Sequence, residues 1–342
     1  MEKIRSNVII PSAAYSVPKS LIKQYDSLNR KTPEVGDLVF GEIFELGHHR
    51  LIESRSARMH TVNIGTRAIF VYGNRYAPDQ YEGLVPDEKK DYVELFSRGG
   101  VIGEVQNQNQ LIGRATKVKV LGYVCKDDGS VINTKDHVLL KPKEKIRNKQ
   151  GSKLILCVGT SMNSGKTEAA AACCYAISSM GRNVRAAKLT GTASLKDILL
   201  MNDCGAENIA DFTYFGYPST YLMDLEDLLK MFNDFDMKYG NNPKNYLVIE
   251  FADGIFQRET AKLLKSPIVR DRIHKLIFCA PDSTAVFGGI NILKEEFDLV
   301  PDAISGICSS SPLAMREIES FTDLPIIQSM EKDFKKIFGF IG

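Results

Sequence analysis

Nine consecutive residues, Gly159-Thr160-Ser161-Met162-Asn163-Ser164-Gly165-Lys166-Thr167, combine small, polar and cationic side chains in an order suited to holding phosphate. They follow the apolar run KLILCVG (153–159) and precede the helical pattern TEAAAACCYAISSM, so the loop joins a buried strand to a helix. In that setting successive backbone N–H groups curl around an anion, the helix N-terminus adds partial positive charge, and Gly165 lets the backbone approach closely. Lys166 would reach the β and γ phosphates and the Thr167 hydroxyl would ligate Mg²⁺. The strict spacing puts a glycine five residues before Gly165; here that position is Thr160, and the glycine is Gly159, one residue earlier. A plain Gly/Ser strand-to-helix turn with an exposed lysine is the alternative reading. Farther along, Glu250 follows four apolar residues in YLVIEF (246–251), which places it at a strand C-terminus, the edge where open α/β sheets bind ligands. Asp253 is near enough to share whatever role Glu250 has there.

The loop GTSMNSGKT resembles that of dethiobiotin synthetase and its relatives among the cobyrinic acid amide synthases, a group of P-loop NTPases. The resemblance covers roughly residues 153–320 and rests on motifs. It implies that Lys188, ending the strand in AAKLTGTAS, contacts the transferred phosphate and the substrate, that Thr190, Gly191 and Thr192 line that edge, and that Glu250 helps hold Mg²⁺. The wider group includes partition and septum-positioning ATPases, which carry a lysine five residues before the Walker lysine; that position is Ser161 here, which argues against a partition-type dimeric switch. In the family an asparagine after a late strand helps recognise adenine, whereas AISGI (303–307) here runs into Cys308-Ser309-Ser310. The nucleotide is expected to be ATP, with GTP left open.

Weaker features surround these. Asp211, Tyr217, Pro218, Ser219 and Thr220 follow another expected strand at the same sheet edge; a substrate pocket using Asp211 and Ser219, or a plain loop, both fit. PDSTAVFGG (281–289) either closes over the nucleotide or turns the chain. YGNRYAPDQYEG (72–83) reads as a long polar and aromatic loop in which Arg75, Tyr76, Asp79 and Gln80 face a ligand or simply order a turn. His48-His49 has only His60 nearby and no metal-ligand spacing, and reads as surface. No Gly-x-Ser-x-Gly elbow supports a nucleophilic hydrolase.

The elements needed to position the loop and its neighbours divide the chain. From Val35 to Leu140 short β-branched runs alternate with turns, Asp128-Gly129 being the best hairpin signal, which predicts a small all-β barrel-like or sandwich domain. KPKEKIRNKQGS (141–152) reads as a linker. Beyond it strands and helices alternate: 153–159, a helix ending before Gly181, NVRAAKL (183–189), a helix over 195–202, a strand over 209–212, a helix opening at Asp224, then 246–251, KLIFCA (275–280), 303–307 and a helix capped by Ser311-Pro312. The expected fold class is α/β, a P-loop NTPase domain over 153–342 with a mostly parallel sheet, preceded by the β domain over 35–140 and a lead segment over 1–34.

The 342 residues suffice for two domains, and 44% apolar with 25% charged residues is ordinary for a globular protein. A net charge of +2 gives no footprint for nucleic acid or an anionic membrane, and no apolar run approaches the roughly 18 residues of a membrane span. Pro11 interrupts the N-terminal apolar patch before a signal sequence forms, and the seven cysteines, mostly in apolar runs, suit a reducing compartment, so a cytoplasmic protein is expected. The function expected from all this is a Mg-nucleotide enzyme, a ligase or phosphoryl-transfer catalyst activating a small carboxylate-bearing substrate. In that reading Lys166, Lys188 and Glu250 act in catalysis. The alternative is a nucleotide-dependent switch or metallochaperone-like NTPase that controls a protein partner, and a defective loop kept as a scaffold is a third reading. A protein partner for the N-terminal domain and a homodimer are both left open.

Overall fold

The computed structural model describes residues 1–141, 151–329 and 333–342. They form two compact units: Met1–Leu139 with Gly191–Lys196 and Phe212–Leu222, and Leu140–Thr190 with Asp197–Asp211 and Met223–Gly342. Most of the expected linker, 141–152, lies outside the described residues. The boundary near residue 140 is crossed again by two later excursions of the chain, which the sequence reading assigned wholly to the second domain.

In the first unit five strands close on themselves: β1 (Leu38–Glu45), β2 (Arg67–Tyr72), β3 (Tyr92–Leu95), β4 (Val101–Gln108) and β5 (Thr116–Val124). The pairing runs β5-β1-β2-β4-β3 and returns to β5, because β3 pairs with both β4 and β5. This is a barrel, so the sandwich alternative falls away. Alternation fills its interior: Phe70 and Tyr72, Val93 and Leu95, Val118 and Val120 point inward as alternate residues of their strands. Residues 1–34 are no separate lead segment, since Glu2–Lys3 pairs with Gln24–Asp26 and the latter with β5. The expected loop over 72–83 is a short hairpin, Arg75–Tyr76 against Tyr81–Leu84. Around Asp128-Gly129 the chain turns as expected, with Gly129 at φ +85° and Lys126 N donating to Ser130 O at 2.9 Å.

The excursions are bound into this unit by hydrogen bonds. Thr134 Oγ1 donates to Gly216 O at 2.5 Å and Tyr221 OH to Glu82 Oε1 at 2.7 Å. Glu53, 1% exposed, accepts from Ser12 Oγ at 2.8 Å, Leu195 N at 3.0 Å and Lys196 N at 3.2 Å, so it caps a helix start 142 residues away in sequence. His49 is 4% exposed with Arg75 Nη1 3.2 Å from its Nε2, which corrects the surface reading. Burial and then the Arg75 charge push its pKa down to about 3.

The second unit holds β6 (Lys153–Gly159), α1 (Lys166–Ser179), β7 (Asn183–Lys188), α2 (Leu195–Asp203, whose first two residues belong to the first unit), β8 (Asn208–Asp211), α3 (Leu225–Tyr239), β9 (Asn245–Glu250), α4 (Arg258–Lys265), α5 (Pro267–Arg270), β10 (Ile273–Cys279), α6 (Ser283–Phe297), β11 (Ala303–Ser305), α7 (Pro312–Glu319) and α8 (Phe334–Ile341). Its sheet is parallel throughout, in the order β8-β7-β9-β6-β10-β11. This is the α/β class with a parallel sheet expected above. Alanine-rich α1 is a strong helix former whose small side chains, Ala169, Ala170, Cys173 and Ala176, sit buried over the sheet. It ends where glycine predicted: Gly181 adopts φ +67° and Arg182 N donates back to Ile177 O at 3.1 Å. Residues 283–289 open α6, capped by Asp282, so that segment is not a simple turn. All seven cysteines are free, six of them buried.

Two stability experiments follow. Glu53→Ala strips three donors of their acceptor and is expected to cost about 1–3 kcal/mol, read as a lower urea midpoint. Because the folded His49 resists protonation while an unfolded one binds a proton near 6.5, its contribution is full above that pH and is lost as pH falls toward 3. Stability of the wild type between pH 7 and 5 should therefore fall more steeply than that of His49→Gln, by up to about 1.4 kcal/mol per pH unit.

Candidate functional site

The loop 159–165 leaves β6 at the centre of the sheet and is gripped by backbone on both sides. Thr160 N donates to Cys279 O at 3.0 Å and Ile255 N to Gly159 O at 2.9 Å; Ile307 N donates to Ser164 O at 3.2 Å. Four glycines make this possible. A Cβ on Gly159 would lie 2.3 Å from Ser164 Oγ, one on Gly254 2.2 Å from Thr160 O, one on Gly165 2.7 Å from Gly306 Cα, and one on Gly306 2.3 Å from Ser164 O. Gly165 also needs φ +90°, and it opens α1 with no side chain capping the helix. The expectation that Gly165 serves approach to phosphate is thus refined, since its missing side chain is what admits Gly306.

An uncapped helix start with Lys166 and Thr167 as its first residues is an anion-ready site. Lys166, 5% exposed, folds back across the loop: Nζ donates to Ser161 O at 2.7 Å and to Ser164 Oγ at 3.3 Å. The exposed-lysine alternative is therefore ruled out. Burial pulls the Lys166 pKa below the ordinary lysine range, while Glu250, Cys279 and Asp253 pull it back up. Thr160 Oγ1 is buried without a partner among the described residues, and Ser161 and Asn163 are exposed, Asn163 at φ +59°.

Beside the loop, strand register assembles charges. Lys188 pairs in register with Glu250 on β9 and with Asp211 on β8, so three ionisable residues stand abreast at the C-terminal edge. Lys188 Nζ donates to Asp197 Oδ2, at the start of α2, and lies 3.3 Å from Glu250 Oε1. Its burial opposes the charge, but Asp197 and Glu250 outweigh it and hold the pKa above the usual lysine range. Thr167 Oγ1 donates to Glu250 Oε1 at 3.2 Å. Glu250 is 1% exposed, and its Oε2 has no hydrogen-bond partner among the described residues.

That unspent oxygen beside the Thr167 hydroxyl fits a divalent ion. Among the described residues no three His, Cys, Asp or Glu side chains cluster for a metal, so protein ligands alone would not complete a shell; phosphate oxygens and water suit the remainder for Mg²⁺. Asp253 lies in the turn after β9, at φ +60°, on the Lys166 side.

The expected substrate residues are divided between the two units. Thr190 and Asp211 belong to the second unit, where Thr190 Oγ1 accepts from Ala252 N at 2.8 Å. Gly191, Thr192 and Ser219 belong to the first, where Gly191 N donates to Thr220 Oγ1 at 2.9 Å and Thr192 bridges to Ser219. Two participants escaped the sequence reading. Asp197 lies in a helix start with no motif, and Gly306 is one glycine among 26. Only its interruption of the expected strand over 303–307 could have drawn attention to it.

No protein-family profile matches the chain, and no curated protein matches it in sequence. Among solved structures it is similar to the signal recognition particle receptor FtsY from Elizabethkingia anophelis in complex with GDP, with 10% identity and a TM-score of 0.38 over 59% of this chain and 64% of that one. The match thus spans less than two thirds of the receptor's length. It is also similar to a nucleotide-binding protein from Archaeoglobus fulgidus in complex with ADP, with 10% identity and a TM-score of 0.35 over 56% and 87% of the two chains. A ParA family ATPase from Chlorobium tepidum matches with 14% identity and a TM-score of 0.34 over 56% and 88%. Among the described residues no helix is long and apolar enough to cross a membrane.

Gly306→Ala tests the backbone grip. With φ at +93° and a Cβ 2.3 Å from Ser164 O, it is expected to lose about 1–3 kcal/mol and to perturb the amide signals of residues 161–165 in an NMR spectrum. Unchanged loop signals would show that the contact with Gly306 does not shape the loop.

Proposed function

We propose that the chain binds a magnesium nucleoside triphosphate on loop 159–167 and transfers or hydrolyses its terminal phosphoryl group. The observation that carries this is the Lys166 ammonium folded onto Ser161 O above an uncapped helix start, with Thr167 and an oxygen-spare Glu250 beside it. A triphosphate would draw Lys166 off the carbonyl and onto its own oxygens, exchanging a neutral acceptor for an anionic one. The loop amides would hold the β phosphate, and Thr167 with Glu250 would hold Mg²⁺, which when bound offsets charge on the phosphates. Lys188, beside Glu250, would supply a second positive charge at the reacting end. Catalysis of this kind is positioning and charge stabilisation, which is what these residues can provide.

The loop's resemblance to dethiobiotin synthetase supports ATP as the nucleotide and a small carboxylate-bearing molecule as acceptor. In this reading Lys188 meets the acceptor and the barrel engages a protein partner. A nucleotide-controlled switch is separated from the enzyme by what stimulates turnover, a protein or a small acid.

The decisive test is calorimetric titration of Mg-ATP and Mg-GTP into the wild type, Lys166→Ala and Glu250→Gln. One nucleotide should bind the wild type, and Lys166→Ala should weaken it by about 10–100-fold, since a hydrogen bond to a charged group is worth about 1.5–3 kcal/mol. Glu250→Gln should lose most of the dependence on Mg²⁺. If neither nucleotide binds, or if Lys166→Ala binds as well as wild type, the assignment fails.

A further inference from the structure

Lys188 is the site's most heavily countered cation. It is 8% exposed and touches two carboxylates, Asp197 on α2 and Glu250 on β9. The two carboxylates differ in their other obligations. Glu250 Oε1 already accepts from Thr167, and its Oε2 is the spare oxygen of the site. Asp197 lies in the first turn of α2, where the helix dipole favours a carboxylate, and its side chain is 22% exposed. A buried ammonium on a flexible four-carbon stem needs a partner throughout any cycle of binding. When Glu250 serves a divalent ion, its charge is spent there and its hold on Lys188 weakens.

We propose that Asp197 is the positioning residue for Lys188, holding the ammonium at the strand ends when Glu250 turns to the metal. This rests on the nucleotide reading above for its second state, though not for the contact itself. Asp197 touches none of the reacting groups and acts only through Lys188. Its own helix fixes where it stands, so Lys188 stays beside the phosphate instead of following Glu250 or swinging to solvent.

A double-mutant cycle decides the matter, with Asp197→Asn, Lys188→Met, both together, and Asp197→Glu as the conservative variant. The first readout is calorimetric affinity for the magnesium complex of a non-hydrolysable ATP analogue, or of its GTP counterpart if that is the nucleotide that binds. Asp197→Asn should weaken binding about tenfold when Lys188 is present, within the range of couplings between contacting residues, and have no further effect in Lys188→Met. Asp197→Glu, which keeps the carboxylate, should bind like wild type. An equal loss in both backgrounds would show that Asp197 serves only the helix, and would overturn the proposal. So would Asp197→Glu failing as badly as Asp197→Asn.

The second readout is urea unfolding of the same ligand-free proteins, which separates this proposal from the nucleotide assignment. If neither the wild type nor Lys166→Ala binds nucleotide, the function assigned above fails. The unfolding cycle still reports on the pair. The midpoint shift caused by Asp197→Asn should be larger with Lys188 than without it, and equal shifts would overturn the positioning role.

Discussion

A loop that is to surround an anion with its own amides has to be shaped from outside, because any side chain pointing inward would fill the space. In this protein the shaping is done by backbone pressed on backbone. Gly159 and Gly165 in the loop, and Gly254 and Gly306 from two other stretches, would each bring a Cβ into near-overlap with the loop or its supports. The carbonyl of Cys279 and the amides of Ile255 and Ile307 then fix the loop's edges by hydrogen bonds. Everything else at the sheet edge depends on this closeness. Lys166 reaches Ser161 O only because the loop returns over the helix start, and Thr167 reaches Glu250 only because β6 and β9 are neighbours in register.

Around the loop the energetic problem is burial of charge. Two ammonium groups and a carboxylate sit almost wholly out of water, a costly arrangement unless each finds a partner. The parallel sheet solves this by register, setting Lys188 beside Glu250, while α2 adds Asp197. The accounting is left incomplete at two atoms, Glu250 Oε2 and Thr160 Oγ1, both buried and unsatisfied among the described residues. Such orphans are uncommon in stable interiors, and both stand at the sheet edge where open α/β proteins take ligands.

Much of this is legible in the sequence. The continuous apolar run at 153–159, the alanine-rich helix, the stop at Gly181 and the carboxylate ending a buried strand each carry a local physical signature, and each is where the pattern put it. The short alternating runs over 35–140 likewise announced strands, though not that β3 would bridge β4 and β5 and close a barrel. What escaped had no local signature. His49 is buried by tertiary packing against Arg75 and Tyr81, which no histidine spacing reveals. The hairpin at 75–84 was hidden because its residues are polar and aromatic without a clean period of two. Asp197 is a helix-start aspartate like many others until Lys188 is placed beside it. Of the residues read as one substrate edge, Thr190 and Asp211 fall in the second unit and Gly191, Thr192 and Ser219 in the first, a division that no local pattern in the sequence marks.

That division bears on how the chain is made. The first unit is assembled from three stretches, the last of which ends at Leu222, well inside the half that carries loop 159–167. As the polypeptide emerges from a ribosome, the barrel strands are all available by Val124, yet Glu53 must wait for Leu195 and Lys196, and Thr134 for Gly216. Pairings of such long sequence separation form late and slowly. The two units therefore cannot mature one after the other like beads on a string. The strand, helix and strand at 153–188 are synthesised between the first and second contributions to the barrel unit, so completion of that unit waits for segments made after loop 159–167.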